Sequence, residues 1–268
     1  ALLLLMRSRL RDEWLWLRTT VQRIDAQTAV VLTVCVALVF LQLDFGGRRF
    51  FRETIAPALD IDPYGIGAWA WWFGIQGVTG FVLPVALLML VFKQRLADIG
   101  LGLGDWKLAG TIALIYAPIV TIGTWVLSND QAFQDKYPHF DNAQVDWGLF
   151  LAYELLYLFY WIGWEYLWRG FVLFGTARTF GFMAVFVQMV PFALLHADKP
   201  PAEAYLSILG GIALGALCWR CRSFWIAVPI HSFQMLALDF WCTLRFRTGV
   251  DGIGPGALWE TFRTWLGG

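Results

Sequence analysis

Charged residues are scarce in this chain. They make up 15% of its 268 residues, whereas hydrophobic residues make up 59%; a soluble domain averages about 25% charged residues. Lysine plus arginine equals aspartate plus glutamate, at 20 each, so no positive excess indicates binding to nucleic acid. This composition excludes an ordinary soluble domain. It predicts a polytopic integral membrane protein that contacts the lipid bilayer and no nucleic acid.

Cysteine and histidine are also rare. The four cysteines all lie in or beside apolar segments, at Cys35, Cys218, Cys221 and Cys242. That placement favours buried small side chains over a disulfide framework, and no second Cys-x-x-Cys pair follows 218–221 to indicate a zinc or redox site. One of the three histidines, His139, lies in a polar stretch and is predicted to be a solvated loop residue.

Long apolar stretches dominate the rest of the chain. Seven of them predict helices, at about 28–43, 68–92, 108–127, 147–178, 182–196, 203–219 and 224–244. The expected fold is therefore an all-α membrane bundle of about seven (six to eight) transmembrane helices. The proline-free fourth segment would measure about 48 Å, longer than a bilayer core of about 30 Å. We expect it to tilt and protrude, or to bend near Gly163 or Gly170.

The chain divides into four predicted parts. These are a basic amphipathic helix at 1–27, transmembrane helices and loops at 28–145, a catalytic membrane core at 146–245, and a tail at 246–268. The first part interleaves arginines with leucines and tryptophans, which is typical of a helix on a cytoplasmic membrane surface. The distribution of lysine and arginine between loops favours a cytoplasmic N-terminus.

Ionisable residues inside the apolar segments are the candidates for chemistry. Glu165 and Arg169 are four residues apart, so on a helix they share a face. A charge at membrane depth costs about 2.5–3.5 kcal/mol or more, so it needs a partner or a water-filled cavity. His196 and His231 can supply partners. Counted in helical rise from the turns at 179–181 and 220–223, the glutamate and both histidines are expected to converge near the bilayer midplane.

These residues resemble the motif series of a known family. The order Glu165-x-x-x-Arg169-Gly170, Phe192-x-x-x-His196 and a later helical His231 is similar to that of the CAAX-protease and bacteriocin-processing (CPBP, or Abi) intramembrane proteases. The resemblance extends over roughly 147–244. It implies an intramembrane endopeptidase of the glutamic type that works without a cofactor or metal. Its implied partners are membrane-protein or lipidated peptide substrates.

Two positions depart from the usual pattern of that family. Trp164 replaces the first glutamate of a Glu-Glu pair, and Met235 replaces an asparagine, with Gln234 one position earlier. The aromatic residue before Glu165 and the series His196-x-x-Lys-Pro also resemble bacterial members that process C-terminal sorting signals, as the myxosortases do. The expected location is therefore the inner (cytoplasmic) membrane of a bacterium.

Peptide hydrolysis assigns roles to these side chains. It needs a nucleophilic water, a site for the oxyanion and an acid for the leaving amine. We assign Glu165 as the base, His196 as its partner in activating the water, and His231 as the donor to the oxyanion. Arg169 orders the glutamate helix or a substrate carbonyl, and Gln234 is a candidate oxyanion or substrate contact. Because a close arginine keeps a carboxylate ionised, we expect Arg169 not to contact the base closely.

Other interpretations stay open at this point. Two histidines and a glutamate are also a zinc set, although the resemblance favours metal-free catalysis. Glu165 and Arg169 would also suit a structural ion pair, the relay of an ion- or proton-coupled transporter, or a catalytically silent scaffold or immunity protein. No internal repeat supports a transporter. The charged residues at 198–203 are predicted to cap a helix in solvent.

Overall fold

The computed structural model describes residues 2–267, and this part of the chain is helical, without a strand. Its α-helices are α1 (Leu2–Val21), α2 (Ala26–Asp44), α3 (Arg48–Phe50), α4 (Ala56–Leu59), α5 (Ile66–Gly77), α6 (Leu83–Ala86), α7 (Trp106–Leu127), α8 (Gln131–Gln134), α9 (Asp141–Val145), α10 (Trp147–Glu165), α11 (Leu173–Phe180), α12 (Ala184–Leu194), α13 (Pro201–Cys221), α14 (Ala227–Thr248) and α15 (Pro255–Gly267). Turns of π-helix connect some of them, at Phe51–Ile55, Val78–Val82, Leu87–Val91 and Tyr166–Val172. A 3₁₀ turn at Gly181–Met183 joins α11 to α12.

Five segments of the described chain are long and apolar enough to cross a membrane. They are Ala26–Asp44, Ile66–Val91, Trp106–Leu127, Trp147–Leu194 and Pro201–Cys221. The fourth contains two of the predicted helices, joined at the 3₁₀ turn. The seventh predicted helix is α14, which carries His231, Gln234 and Asp239 and is not among the five. The predicted all-α, polytopic membrane architecture is confirmed.

Aspartates determine where three of the long helices begin. Asp25, Asp105 and Asp146 precede α2, α7 and α10, and the side chain of each accepts a hydrogen bond from the amide three residues later, at 2.8, 3.2 and 2.9 Å. Such caps satisfy amides that have no partner within the helix. The positive φ of Gly249 (65°) ends α14 in the left-handed conformation that glycine adopts most easily.

The backbones of α5 and α10 are in close contact. A β-carbon on Gly163 would lie 2.3 Å from the carbonyl oxygen of Gln76 and 2.7 Å from Cα of Gly77. Small residues permit such an approach between membrane helices. Beside this crossing, the rings of Phe73 and Tyr157 stack with centroids 4.5 Å apart. The contact holds the end of α10, and with it Glu165, firmly against α5.

The helix containing Glu165 changes its winding at that residue. α10 ends at Glu165, Tyr166–Val172 follows as a π-helical segment, and α11 then continues to Phe180. Every residue of the π segment is buried. The predicted long, proline-free helix is thus continuous, with its irregularity around Gly170. Local π-helix is frequent at functional sites.

Arg245 fastens the far end of α14 to neighbouring loops. Its side chain is almost fully buried, with 2% of the residue exposed. Its guanidinium donates to Ser128 Oγ (2.8 Å) and to the carbonyl oxygens of Val250 (2.9 Å), Gly252 (2.9 Å) and Trp125 (3.3 Å). It also lies 3.8 Å from the centre of the Trp125 ring. These contacts join the end of α7 to the segment that leads into α15.

Replacing Arg245 with methionine is expected to destabilise the protein. The change leaves buried carbonyl groups without their donor, and a hydrogen bond to a charged group contributes about 1.5–3 kcal/mol. We expect a Tm in detergent clearly below that of the wild type. Arg247→Met is the matched control, because Arg247 is exposed; it donates to the carbonyl oxygens of Gln144 and Val145 and lies 5.0 Å from the centre of the Trp147 ring. Equal Tm values for the two variants would contradict this role of Arg245.

Candidate active site

Three ionisable side chains meet at the end of α10. His231 Nδ1, from α14, lies 2.5 Å from Glu165 Oε1, and Arg169 Nη1 donates to the same oxygen at 3.1 Å. Glu165 and Arg169 have no exposed surface, and the His231 side chain is 11% exposed. Because a carboxylate can only accept, Nδ1 of His231 carries a proton. Nε2 is therefore the ring nitrogen left for a ligand.

His196 is oriented in a similar way by the backbone. It follows α12, and its Nδ1 lies 2.8 Å from the carbonyl oxygen of Phe192. A carbonyl oxygen accepts only, so Nδ1 is the protonated nitrogen and Nε2 keeps its lone pair. The ring packs edge-on against Trp164, at 5.9 Å between centroids, and on Phe192, at 4.6 Å. Both histidines therefore reach the site with Nδ1 held by an oxygen atom.

A first cavity leads to these histidines from the side of the bundle. It has a volume of about 620 Å³ and lies between α7, α13 and α14. Its walls are mainly aliphatic, and the wall residues Ile119, Leu206 and Leu209 are themselves exposed on the outer surface of the helices. Arg169, His196 and His231 line its inner end. We call it the lateral groove, because its exposed apolar walls face the surface that lipid covers.

A second cavity reaches the same histidines from another direction. It has a volume of about 280 Å³ and carries aromatic and charged residues, among them Arg48, Lys136 and Lys199. It lies between the end of α2 and the second half of α10, beside the polar connection that carries Lys136 and His139. His196 and His231 line both cavities. We call this one the polar cavity.

Gln234 and Met235 lie beside His231 on α14. Gln234 lines the lateral groove, and its Oε1 accepts a hydrogen bond of 2.6 Å from the hydroxyl of Tyr116 on α7. Its amide nitrogen is thereby left as a donor. Met235 is buried and lines both cavities, but it offers no comparable donor. Nothing in the sequence distinguishes Tyr116 as a site residue, because tyrosine is common in apolar helices.

A comparison with protein families decides the class of this site. Residues 146–237 match the family model described as type II CAAX prenyl endopeptidase Rce1-like. The matched segment begins at the cap of α10 and ends within α14, so it includes Glu165, Arg169, His196, His231 and Gln234. Residues 146–237 form a CAAX-protease domain. Comparisons with curated proteins and with solved structures give no match.

The CAAX-protease domain gives the protein its general class. The match supports a CAAX-type intramembrane endopeptidase in general, in agreement with the resemblance that the motifs carry, and the long apolar helices support an integral membrane protein. Within the domain, Glu165 and His231, which were predicted to converge, are in direct contact. His196 lines the same two cavities as His231. The expected separation of Arg169 from Glu165 is wrong: the two form a buried ion pair.

The polar connection that precedes the CAAX-protease domain corrects one prediction. His139 is not solvated, because its ring stacks on Trp69, with centroids 6.3 Å apart and planes 2° apart, and Lys199 Nζ lies 3.2 Å from its Nε2. Burial, with Lys199 and Lys136 nearby, holds the pKa of His139 well below its usual value. This loop histidine is therefore neutral at physiological pH.

The charged residues after α12 differ in their exposure. Asp198 is exposed, as predicted for a helix cap in solvent, whereas the side chains of Lys199 and Glu203 are largely buried. Tyr137 donates to Glu203 at 2.7 Å, and Lys199 donates to the Tyr137 hydroxyl at 3.0 Å. The network ties the polar connection before α10 to the start of α13.

A metal site was the other interpretation of the glutamate and the histidines. Between residues 2 and 267, no group of three or more His, Cys, Asp or Glu side chains is arranged to hold a metal ion. An oxygen atom holds Nδ1 of each active-site histidine, that of Glu165 for His231 and the Phe192 carbonyl oxygen for His196, so Nε2 is the nitrogen that remains on each ring. The four cysteines are buried free thiols.

Proposed function

We propose that the protein hydrolyses a peptide bond of lipidated or other membrane-associated substrates, using water activated by the Glu165–His231 pair. The observation that supports this most is the 2.5 Å contact between Glu165 Oε1 and His231 Nδ1, placed where the two cavities meet. A carboxylate that orients a histidine raises its ability to take a proton. The remaining nitrogen of His231 is the one that water can reach.

The geometry favours a change in the predicted roles. Glu165 lines neither cavity, whereas His231 lines both. We therefore propose His231 as the base that takes the proton of the attacking water, and Glu165 as the residue that positions and polarises it. His196, with its Nε2 lone pair, holds the water from the other side. The proton on His231 then passes to the leaving amine as the C–N bond breaks.

Two further side chains suit the oxyanion. Gln234 has an amide nitrogen left to donate, because its oxygen is held by Tyr116. Arg169 lines the lateral groove, and its Nε and Nη2 have no hydrogen-bond partner among the described residues. Fixed donors stabilise a developing negative charge without reorganising. We propose Gln234 as the main donor and Arg169 as the cation that pairs with Glu165 and contacts the substrate carbonyl.

The lateral groove indicates the kind of substrate. Its aliphatic walls match a hydrocarbon chain or an apolar peptide segment that arrives from the bilayer. The matching family is described as a CAAX prenyl endopeptidase, so we propose a substrate with a lipidated cysteine. The lipid would occupy the groove, and the next peptide bond would lie at the two histidines.

The test is a cleavage assay with protein reconstituted in liposomes. The substrate is a peptide that ends in a farnesylated cysteine followed by three apolar residues, and mass spectrometry identifies the products. We expect cleavage directly after the farnesylated cysteine, much slower cleavage of the peptide without the lipid, and no change when a metal chelator is added. Intact peptide after incubation with folded protein would overturn the proposed function.

A further inference from the structure

The polar cavity carries more positive than negative charge. Its lining includes Arg48, Lys136 and Lys199 against the two carboxylates of Asp198 and Glu203. Lys136 lies 3.5 Å from Asp198, and Lys199 lies 4.0 Å from Glu203, so each lysine has an acidic partner. His139 adds no charge, since it is neutral. The surplus of one positive charge belongs to Arg48.

Tryptophan rings, and not an acidic side chain, hold Arg48 in place. Its guanidinium lies 3.8 Å from the centre of the Trp69 ring and 5.6 Å from that of Trp72. Among residues 2–267 it has no carboxylate within 4.0 Å and makes no side-chain hydrogen bond. Stacking on a ring engages the face of a guanidinium and leaves its N–H edge available. That edge is suited to a planar anion bound through two hydrogen bonds.

The position of this cation relative to the histidines suggests which anion it meets. The lateral groove and the polar cavity meet at His196 and His231, so a chain lying across the site extends from one cavity into the other. At about 280 Å³ the polar cavity is small, and a helix of about 10–12 Å diameter is too thick for it. It suits the last few residues of an extended peptide.

We propose that the polar cavity binds the free C-terminal carboxylate of the substrate, with Arg48 as its main ligand. The enzyme then recognises the end of a chain, with the lipid in the groove and the carboxylate at Arg48 on either side of the bond that is cut. This inference rests on the endopeptidase function proposed above. It adds a requirement that the groove and the histidines do not impose.

The test uses two farnesylated peptides of identical sequence, one with a C-terminal carboxylate and one with a C-terminal amide. We expect the wild type to cleave the acid with a kcat/KM about 10- to 100-fold higher, the effect of one charge-assisted contact. Arg48→Gln is expected to bring the ratio close to one, by raising KM for the acid toward the KM for the amide. Arg48→Lys keeps the charge and is expected to retain part of the preference.

Arg49→Gln is the matched control, because Arg49 is the next residue, is exposed and pairs with Glu53 at 2.9 Å. It should keep the wild-type ratio. Equal cleavage of acid and amide by the wild type would overturn the carboxylate site and leave the proposed function standing. Wild-type protein that cleaves neither peptide removes both proposals. The wild-type comparison needs no variant, so a misfolded Arg48→Gln protein does not affect it.

Discussion

Replacing Glu165 with glutamine is expected to lower kcat/KM about a thousandfold, within the range of about 10²–10⁴ for a lost acid–base function. The amide keeps the size of the side chain but removes the charge that orients and polarises His231. His231→Ala is expected to show a loss of the same order. The measurement is the rate of cleavage of the farnesylated peptide by reconstituted variants at equal protein concentration.

Two controls separate chemistry from folding in this experiment. Glu165→Gln leaves the buried Arg169 without its ion-pair partner, which destabilises proteins by about 3–5 kcal/mol, so the amount of folded variant must be measured. His231→Ala leaves no such charge, and imidazole added to the buffer is expected to restore part of its activity. Glu154→Gln, on the same helix but away from both cavities, should cleave like the wild type. Full activity in folded Glu165→Gln protein would refute the assigned role.

Replacing Gly163 with alanine is expected to have the largest effect on the fold. The new methyl group would lie 2.3 Å from a carbonyl oxygen and 2.7 Å from a Cα atom of the facing helix, and backbone cannot yield as a flexible side chain can. Overpacking lowers stability by about 1–3 kcal/mol even where side chains can adjust, so we expect a loss of at least about 3 kcal/mol in this variant. The Tm in detergent should fall, and activity should fall with it, because Glu165 is two residues away.

Gly74→Ala gives the opposite expectation on the facing helix. A β-carbon on Gly74 meets nothing within 4 Å, and alanine favours a helix over glycine by about 0.8–1.0 kcal/mol. The Tm of that variant should therefore rise slightly. If both alanine variants shifted the Tm in the same direction by similar amounts, close packing of α5 on α10 would not be what limits stability.

The sequence predicted the helices and the central residues for physical reasons. Seven apolar stretches correspond to helices in the structure, because burial in lipid requires backbone hydrogen bonds within each segment. Glu165, His196 and His231 stood out because charge and polarity are costly in such segments. In the structure, Glu165 contacts His231 directly, and the carbonyl oxygen of Phe192 orients His196.

The polar cavity could not be predicted in the same way. Residues 128–146 have the composition of a solvated loop, and nothing in their order indicates that they fold back onto the aromatic rings of α5 and α10. Arg48 is one of three arginines in a polar connection, and its partner is a tryptophan about 20 residues later. Such contacts depend on how helices pack, not on local pattern. The close approach of Arg169 to Glu165 was missed for a different reason: their four-residue spacing allows the contact, but the role of base assigned to Glu165 argued against it.

The meeting of two cavities at one pair of histidines bears on how products would leave. A cut at that junction would divide the proposed substrate into a lipid-bearing part in the lateral groove and a short C-terminal peptide in the polar cavity. Each part has a way out that the other does not occupy, one toward lipid and one toward water. Release of the two products would then be independent. A lipid analogue that fills the groove should compete with substrate, while leaving escape of the short peptide unhindered.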